Sequence, residues 1–401
     1  MPTPTTPLRR LLLALLAALP LAAACGDDGG SGSPADTATT ADTADTSPAD
    51  TSEGVDAVAD SVSADTSAAD TAVADTTPPR TTFAFEPLDP GSATPLWGAM
   101  AVGDLVVGGV DGTSKVTGDI SRLSVSDGAL VKEPLGSVGA ARYCECAFYD
   151  AGRDELVAIG GRNKSFADAE SAVVVTLATG DGQVLTDAPV ADHPVGCMAF
   201  FSTVNDKGYV FGGLSSNQGA FTGKTHRWDP ATRTFTDLAI TGPAARYDAA
   251  VRPTDDGGAL LVSGMGLGGA GVVFYRDVWR FDPTTETWSE VTPSTSTRPP
   301  GRRYAWTALS PDESVLLFGY GSDSPMGQSV VKDLWRFDLT TREWSELAVD
   351  GDLPPGRGFT PNLLIAPGDA GVLAFGTDAA TKVQTDAWVL RVPDALRGRW
   401  H

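Results

Sequence analysis

The sequence predicts an all-β fold of six repeated four-stranded sheets, preceded by a long N-terminal segment that is not built to fold. Three observations carry that prediction. An apolar run ends in glycine six times at intervals of about fifty residues, at Gly109, Gly161, Gly213, Gly264, Gly321 and Gly376. The stretch DVWRFDPTTETWSEV, Asp277–Val291, returns nearly unchanged as DLWRFDLTTREWSEL, Asp333–Leu347. Composition breaks sharply near residue 80, with eleven Asp, one Glu and no Lys or Arg between Gly26 and Pro79.

Residues 1–25 have the layout of an export signal, in which Arg9 and Arg10 precede a short apolar run, Leu11–Leu19, and small residues lead to Cys25. That run is shorter than the ~20 residues of a permanent membrane span. The sequence LAAAC resembles the bacterial lipoprotein signal, which implies cleavage before Cys25 and a lipid on its thiol. Gly26, the residue after the cysteine, implies the outer membrane as destination. Acyl chains would then hold the protein at the envelope with ~0.8 kcal/mol per buried CH2. Residues 26–80, rich in Ala, Asp and Thr, cannot bury enough apolar surface to offset the entropy of ordering, and their like charges repel. A disordered acidic tether is expected there. Of the net charge of −22, the signal carries +2 and the arm −12, which leaves −12 for the remainder. An acidic folded part argues against a nucleic-acid partner, whose phosphates need a basic surface.

From residue 81 to residue 401 each unit reads as two hairpins. A turn such as NDKG, TDDGG or PDES separates two apolar strands, and the glycine follows the second. A loop leads to a third strand, THRWDP, DVWRFDP, DLWRFDL or DAWVLRV, and a DPTT-type turn leads to a fourth, TFTDL, TWSEV or EWSEL. Asp277 to Trp288 and Asp333 to Trp344 are both eleven places. Four antiparallel strands, with glycines after the second and aromatics on the third and fourth, resemble the kelch repeat. The resemblance implies a six-bladed β-propeller whose sheets bury one another around a central axis. Trp279, Phe281, Trp288, Trp335, Phe337 and Trp344 would then belong to the core between blades. The sixth unit runs out of chain before a fourth strand, whereas FAFEPL, Phe83–Leu88, matches the fourth-strand pattern with Phe85 at the place of Trp344. This N-terminal strand is expected to complete the last blade and remove its free edge.

Chemistry is sparse. The histidines His193, His226 and His401 are too few for the copper site of galactose-oxidase-like propellers. The sequence contains no HExxH, no Cys-x-x-Cys and no phosphate-cradling loop, so no metal and no cofactor are expected. The recurrent polar feature is Arg142-Tyr143, Arg246-Tyr247, Arg303-Tyr304 and Arg357 with Phe359, at the start of the innermost strands. In kelch propellers these strands start beside the central channel. Four guanidiniums there would bind an anion through bidentate contacts, or each would pair with a nearby Asp and lock its own blade. The expected function is a binding module for a protein or glycan ligand, anionic if the arginines are free. The alternative is a carbohydrate-active enzyme, mutarotase-like or lyase-like, acting on an acidic sugar at the same mouth. Cys144, Cys146 and Cys197 lie on adjacent first strands of an exported chain. Strand phase allows Cys197 to bridge Cys144 or Cys146, with free buried thiols as the other outcome.

Overall fold

The computed structural model describes residues 79–400, apart from 166, 170, 186–187, 189–190, 194, 216–218, 293–296 and 367. The export signal, Cys25 and the acidic arm lie outside the described residues.

Among the described residues six sheets of four or five strands follow one another along the chain, each running from an innermost strand outward, with three smaller two- or three-stranded sheets between them. Blade 1 comprises Met100–Val102, Leu105–Val107, Asp119–Ser126 and Ala129–Ser137. Blade 2 comprises Cys146–Asp150, Glu155–Ile159, Ala172–Thr176 and Asp181–Leu185, and blade 3 comprises Met198–Ser202, Lys207–Phe211, Thr225–Asp229 and Thr234–Asp237. Blade 4 is built from Ala250–Pro253, Ala259–Val262, Val278–Asp282 and Thr287–Glu290, and blade 5 from Trp306–Leu309, Val315–Gly319, Leu334–Asp338 and Glu343–Glu346. Blade 6 takes Asn362–Leu363, Gly371–Ala374 and Ala387–Arg391 from the C-terminal end and its fourth strand, Phe83–Leu88, from the N-terminal end. Phe85 pairs with Leu390 as Trp344 pairs with Phe337, so the closing strand sits in the register its sequence predicts. Its outer edge also pairs in parallel with Val349–Asp350, so blade 6 is five-stranded.

Local chemistry explains the repeat. Second strands such as Val315–Gly319 are buried along their length and are written in Val, Leu, Ile and Phe, which suit a pleat covered on both faces. Fourth strands alternate, with Trp288 and Trp344 buried between exposed neighbours. In the DPTT turn, Asp282 Oδ1 accepts the Thr284 amide at 2.8 Å while Glu286 takes a left-handed φ of 51°. Asp338 and Arg342 repeat that arrangement in blade 5.

In blades 1, 3, 4, 5 and 6 the glycine that ends the second strand joins one blade to the next. It follows another left-handed residue, and its N–H donates to the following blade: Gly109 to Arg142 O, Gly213 to Arg246 O, Gly264 to Arg302 O, Gly321 to Arg357 O and Gly376 to Leu96 O, all at 2.8–2.9 Å. A Cβ on Gly321, at φ 87°, would stand 2.5 Å from Arg303 O, which is why glycine holds that position. Apolar clusters fill the wedges between blades; one joins Leu260, Val262 and Val278 of blade 4 to Leu316, Phe318 and Phe337 of blade 5. Phe281, Trp288, Phe337 and Trp344 are buried in these wedges. Trp279 and Trp335, expected in the same core, are only half-buried, and their indole N–H groups are hydrogen-bonded to Asp277 and Asp333.

Candidate functional site

The strand-one arginines have a repeated structural task. Arg246 donates from Nε to Ala244 O at 2.9 Å, from Nη1 to Ser263 O at 2.8 Å, and from both Nη atoms to the Asp277 carboxylate at 2.6 and 2.7 Å. Arg357 makes a similar set with Pro355 O, Phe375 O and, through Nη2 alone, the Asp386 carboxylate, and Arg142 makes it with Ala140 O, Gly160 O and the Ser171 hydroxyl in place of a carboxylate. In blade 5 the residue in this position is Arg302, bound to Pro300 O, Tyr320 O and Asp333. All four side chains are fully buried and satisfied inside their own blades. The guanidiniums of Arg142, Arg246 and Arg357 therefore do not converge on an anion, and Arg303 is not their equivalent. The run GRRY holds two adjacent arginines; aligning PPGR of residues 299–302 with PPGR of residues 354–357 selects Arg302.

Blade 3 fills the same slot differently. His193 Nδ1 donates to Gly212 O at 2.7 Å, and its Nε2 accepts from His226 Nδ1 at 2.7 Å. Burial draws the pKa of His193 down to about 4, which keeps it neutral. His226 Nε2 lies 3.6 Å from the Asp192 carboxylate.

The side chains that do converge sit at the start of the central channel. Six equivalent residues, Gly98, Cys144, Gly196, Asp248, Tyr304 and Phe359, all adopt left-handed φ between 53° and 63°. Their amides and carbonyls join blade to blade: Cys144 N to Gly98 O, Gly196 N to Cys144 O, Asp248 N to Gly196 O, Tyr304 N to Asp248 O and Gly98 N to Phe359 O, at 2.7–3.3 Å. Four of the six are not glycine, and their side chains form a floor. Tyr143, Trp97, Phe359 and Tyr304 touch in succession, with ring centroids 5.2, 5.4 and 4.0 Å apart. Arg303 completes this floor, with its guanidinium over the rings of Tyr304, Tyr247 and Phe359 at 4.3, 4.7 and 5.3 Å and its Nη2 2.9 Å from Asp248 Oδ2. Burial lifts the Asp248 carboxyl to about 6 against the pull of Arg303. Thus Tyr247, Tyr304 and Phe359 form an aromatic cage around the paired guanidinium of Arg303, and Tyr143 joins the same floor through Trp97.

Beyond the floor, the innermost strands line a cavity of about 220 Å³. Its wall carries a charge that sequence reasoning missed. Arg252 of blade 4 is 5% exposed and donates to Thr307 of blade 5, to the carbonyl at 3.1 Å from Nε and 2.8 Å from Nη2, and to Oγ1 at 2.8 Å. Among the described residues no carboxylate pairs with it, and burial alone draws its pKa down to about 9. The signal was present in the repeat, because the equivalent residues Val102, Phe148, Phe200, Ala308 and Leu363 are all apolar.

Cys146 and Cys197 are joined by a disulfide between blades 2 and 3, with Cα atoms 5.3 Å apart, and Cys144 is a buried free thiol on the channel floor. Burial pushes that thiol up to about 12, so it carries no thiolate at neutral pH.

Four-stranded blades, glycine staples and a closing N-terminal strand define a kelch-type propeller, and comparison with known proteins agrees. A family profile described as the KLHDC2/KLHL20/DRC7 Kelch-repeats domain matches residues 99–319 and, overlapping, 201–400. The chain belongs to the kelch-repeat family. Kelch domain-containing protein 3 of Homo sapiens is 27% identical over 159 residues, 38% of this chain and 39% of that protein, and its Bos taurus counterpart matches to the same extent. The chain thus spans about two fifths of the length of these curated relatives. The solved structure of YjhT shares the fold at a TM-score of 0.57 and 18% identity, covering 76% of this chain and 97% of that one.

Proposed function

We propose that this propeller is a binding module that takes an acidic group of a protein or glycan ligand into its central channel, where Arg252 receives it. The carrying observation is Arg252 itself, a buried cation on the wall of a cavity and without a carboxylate partner among the described residues. An uncompensated buried charge is costly, and an anionic ligand would offset that cost. The test is a thermal-shift screen of the protein against acidic sugars, acidic peptides and their neutral counterparts. A ligand at a hundred times its Kd adds ~2.7 kcal/mol, and the shift should vanish in Arg252→Met, which keeps the aliphatic stem. An undiminished shift in that variant would remove Arg252 from the site.

The envelope address belongs to the same reading. The export signal and LAAAC motif support a lipid on Cys25, with the acidic arm holding the propeller clear of the outer membrane. Cys25→Ser should move the protein from the membrane fraction to the soluble one; retention in the membrane would refute the anchor.

Asp248 supports a second reading. A buried carboxyl lifted to about 6 beside the Arg303 cage is suited to moving a proton on an acidic sugar bound above it. Turnover of such a sugar, followed by NMR and lost in Asp248→Asn, would establish the enzyme; ligand binding without turnover would leave the binding module.

A further inference from the structure

Blade 1 keeps the receptor for the strand-one arginine but has lost the arginine. In blades 2, 4 and 5 the amide of the residue before the glycine staple bonds to the carbonyl of the residue opening strand three: Gly160 to Ser171, Ser263 to Asp277 and Tyr320 to Asp333. In blade 1 the same bond runs from Gly108 to Asp119, so Asp119 is the counterpart of Asp277, Asp333 and Asp386. Each of those three carboxylates holds two guests, the arginine guanidinium and the indole N–H of Trp279, Trp335 or Trp388. In blade 1 the arginine position is Leu96 and the tryptophan position is Ser121. Both guests are missing, and a cavity of about 180 Å³ remains, lined by Leu96, Gly108, Asp119 and Ser121 together with Lys115 and Lys132. The Asp119 carboxylate accepts no hydrogen bond and makes no ion pair among the described residues, and neither lysine reaches it.

We propose that this slot is a second ligand site, separate from the channel, that binds the guanidinium of an arginine-type ligand carrying its own carboxylate. Three sibling blades show what the receptor accepts: a planar guanidinium on the strand-three Asp, bidentate in blades 4 and 5 and through Nη2 alone in blade 6, with a further N–H to the carbonyl that Gly108 supplies here. The width left by Ser121 in place of Trp admits the ligand's alkyl chain, and Lys115 and Lys132 supply the charge that a carboxylate needs. A lone ammonium would meet Asp119 without the fork geometry and would face the same two lysines.

Calorimetric titration of the full chain with L-arginine, with citrulline, its uncharged isostere, with agmatine, which lacks the carboxylate, and with N-acetyl-arginine amide tests this. L-arginine should bind, citrulline at least about tenfold more weakly, and agmatine and the capped amide in between. Tighter binding of the capped amide than of free arginine would show that the slot takes an arginine within a peptide and would overturn the carboxylate part. Leu96→Arg installs the occupant of the sibling blades; it should raise the melting temperature and abolish arginine binding. Should that variant fail to fold, Asp119→Asn decides, because it removes the charge and keeps the shape. Arginine binding that survives either change, or no binding to the wild-type chain, would overturn the site.

Discussion

Glu145 shows how much a single residue can matter in a repeat. The same position holds Ala99, Ala249 and Ala305 in other blades, yet blade 2 buries a carboxyl there, wedged against Gly108 of blade 1 and without a hydrogen bond to any other described residue. Burial lifts its pKa to about 8, with its own backbone amide and then Arg142 providing only partial relief. The folded state therefore holds the proton that the unfolded chain, titrating near ~4.3, releases earlier. Stability is highest below the unfolded value and falls as pH rises through about 8, by ~1.4 kcal/mol for each unit that separates the two pKa values. Glu145→Gln should remove that slope. In urea titrations near pH 5 and near pH 9, the variant should gain on the wild type by several kcal/mol at the alkaline end. Equal pH dependence of the two proteins would mean that water reaches the carboxylate. Asp248 also titrates high, but it is common to both proteins and cancels in the comparison.

At the scale of the element, the unit of design is a clasp of three side chains, the strand-one Arg, the strand-three Asp and the Trp two places on. Removing the acid leaves a buried guanidinium uncompensated, which typically costs ~3–5 kcal/mol. Asp333→Ala should destabilise by that order, whereas Asp119→Ala, where the clasp has no arginine, should stay within about 0.5 kcal/mol. Equal effects in chemical denaturation would show that the acids serve the turn and not the clasp. Much of this architecture was legible in the sequence because turn chemistry and left-handed glycines leave fixed letters at fixed spacing: the six glycine stops, the DPTT turn and the match of Phe85 to Trp344 gave blade number, register and closure. The candidate site was less legible, for identifiable reasons. Arg302 and Arg303 are adjacent, so the repeat alone admits either, and only the PPGR alignment separates scaffold from cage. Arg252 and Glu145 are departures from apolar or small consensus positions, which a search for recurring residues passes over. His193 replaces an arginine from a different place in the chain, so its role follows from the bond to Gly212 O and from no sequence spacing.

For the whole molecule, closure decides whether six sheets behave as one domain. Phe83, Phe85 and Leu88 are buried on the closing strand, where Phe83 and Phe85 join the core shared by blades 5 and 6 and Leu88 joins the core shared by blades 6 and 1. Arg80 extends the fastening, since its carbonyl accepts the Asp394 amide at 2.9 Å and its amide donates to the Asp394 carboxylate at 2.8 Å. One strand thus secures both wedges of the last blade. Removing it exposes apolar surface in two wedges and leaves the Ala387–Arg391 strand as an open edge, a template for pairing with another chain. Phe85→Ala alone should cost ~3–5 kcal/mol as a large-to-small change in a packed core. Deleting residues 79–90 should do more than lower the melting temperature: the product should self-associate through the open edge, seen as a concentration-dependent shift in light scattering. A monomeric deletion protein with an unchanged melting temperature would show that the remaining strands close the ring by themselves, and that the N-terminal strand is an attachment and not part of the fold.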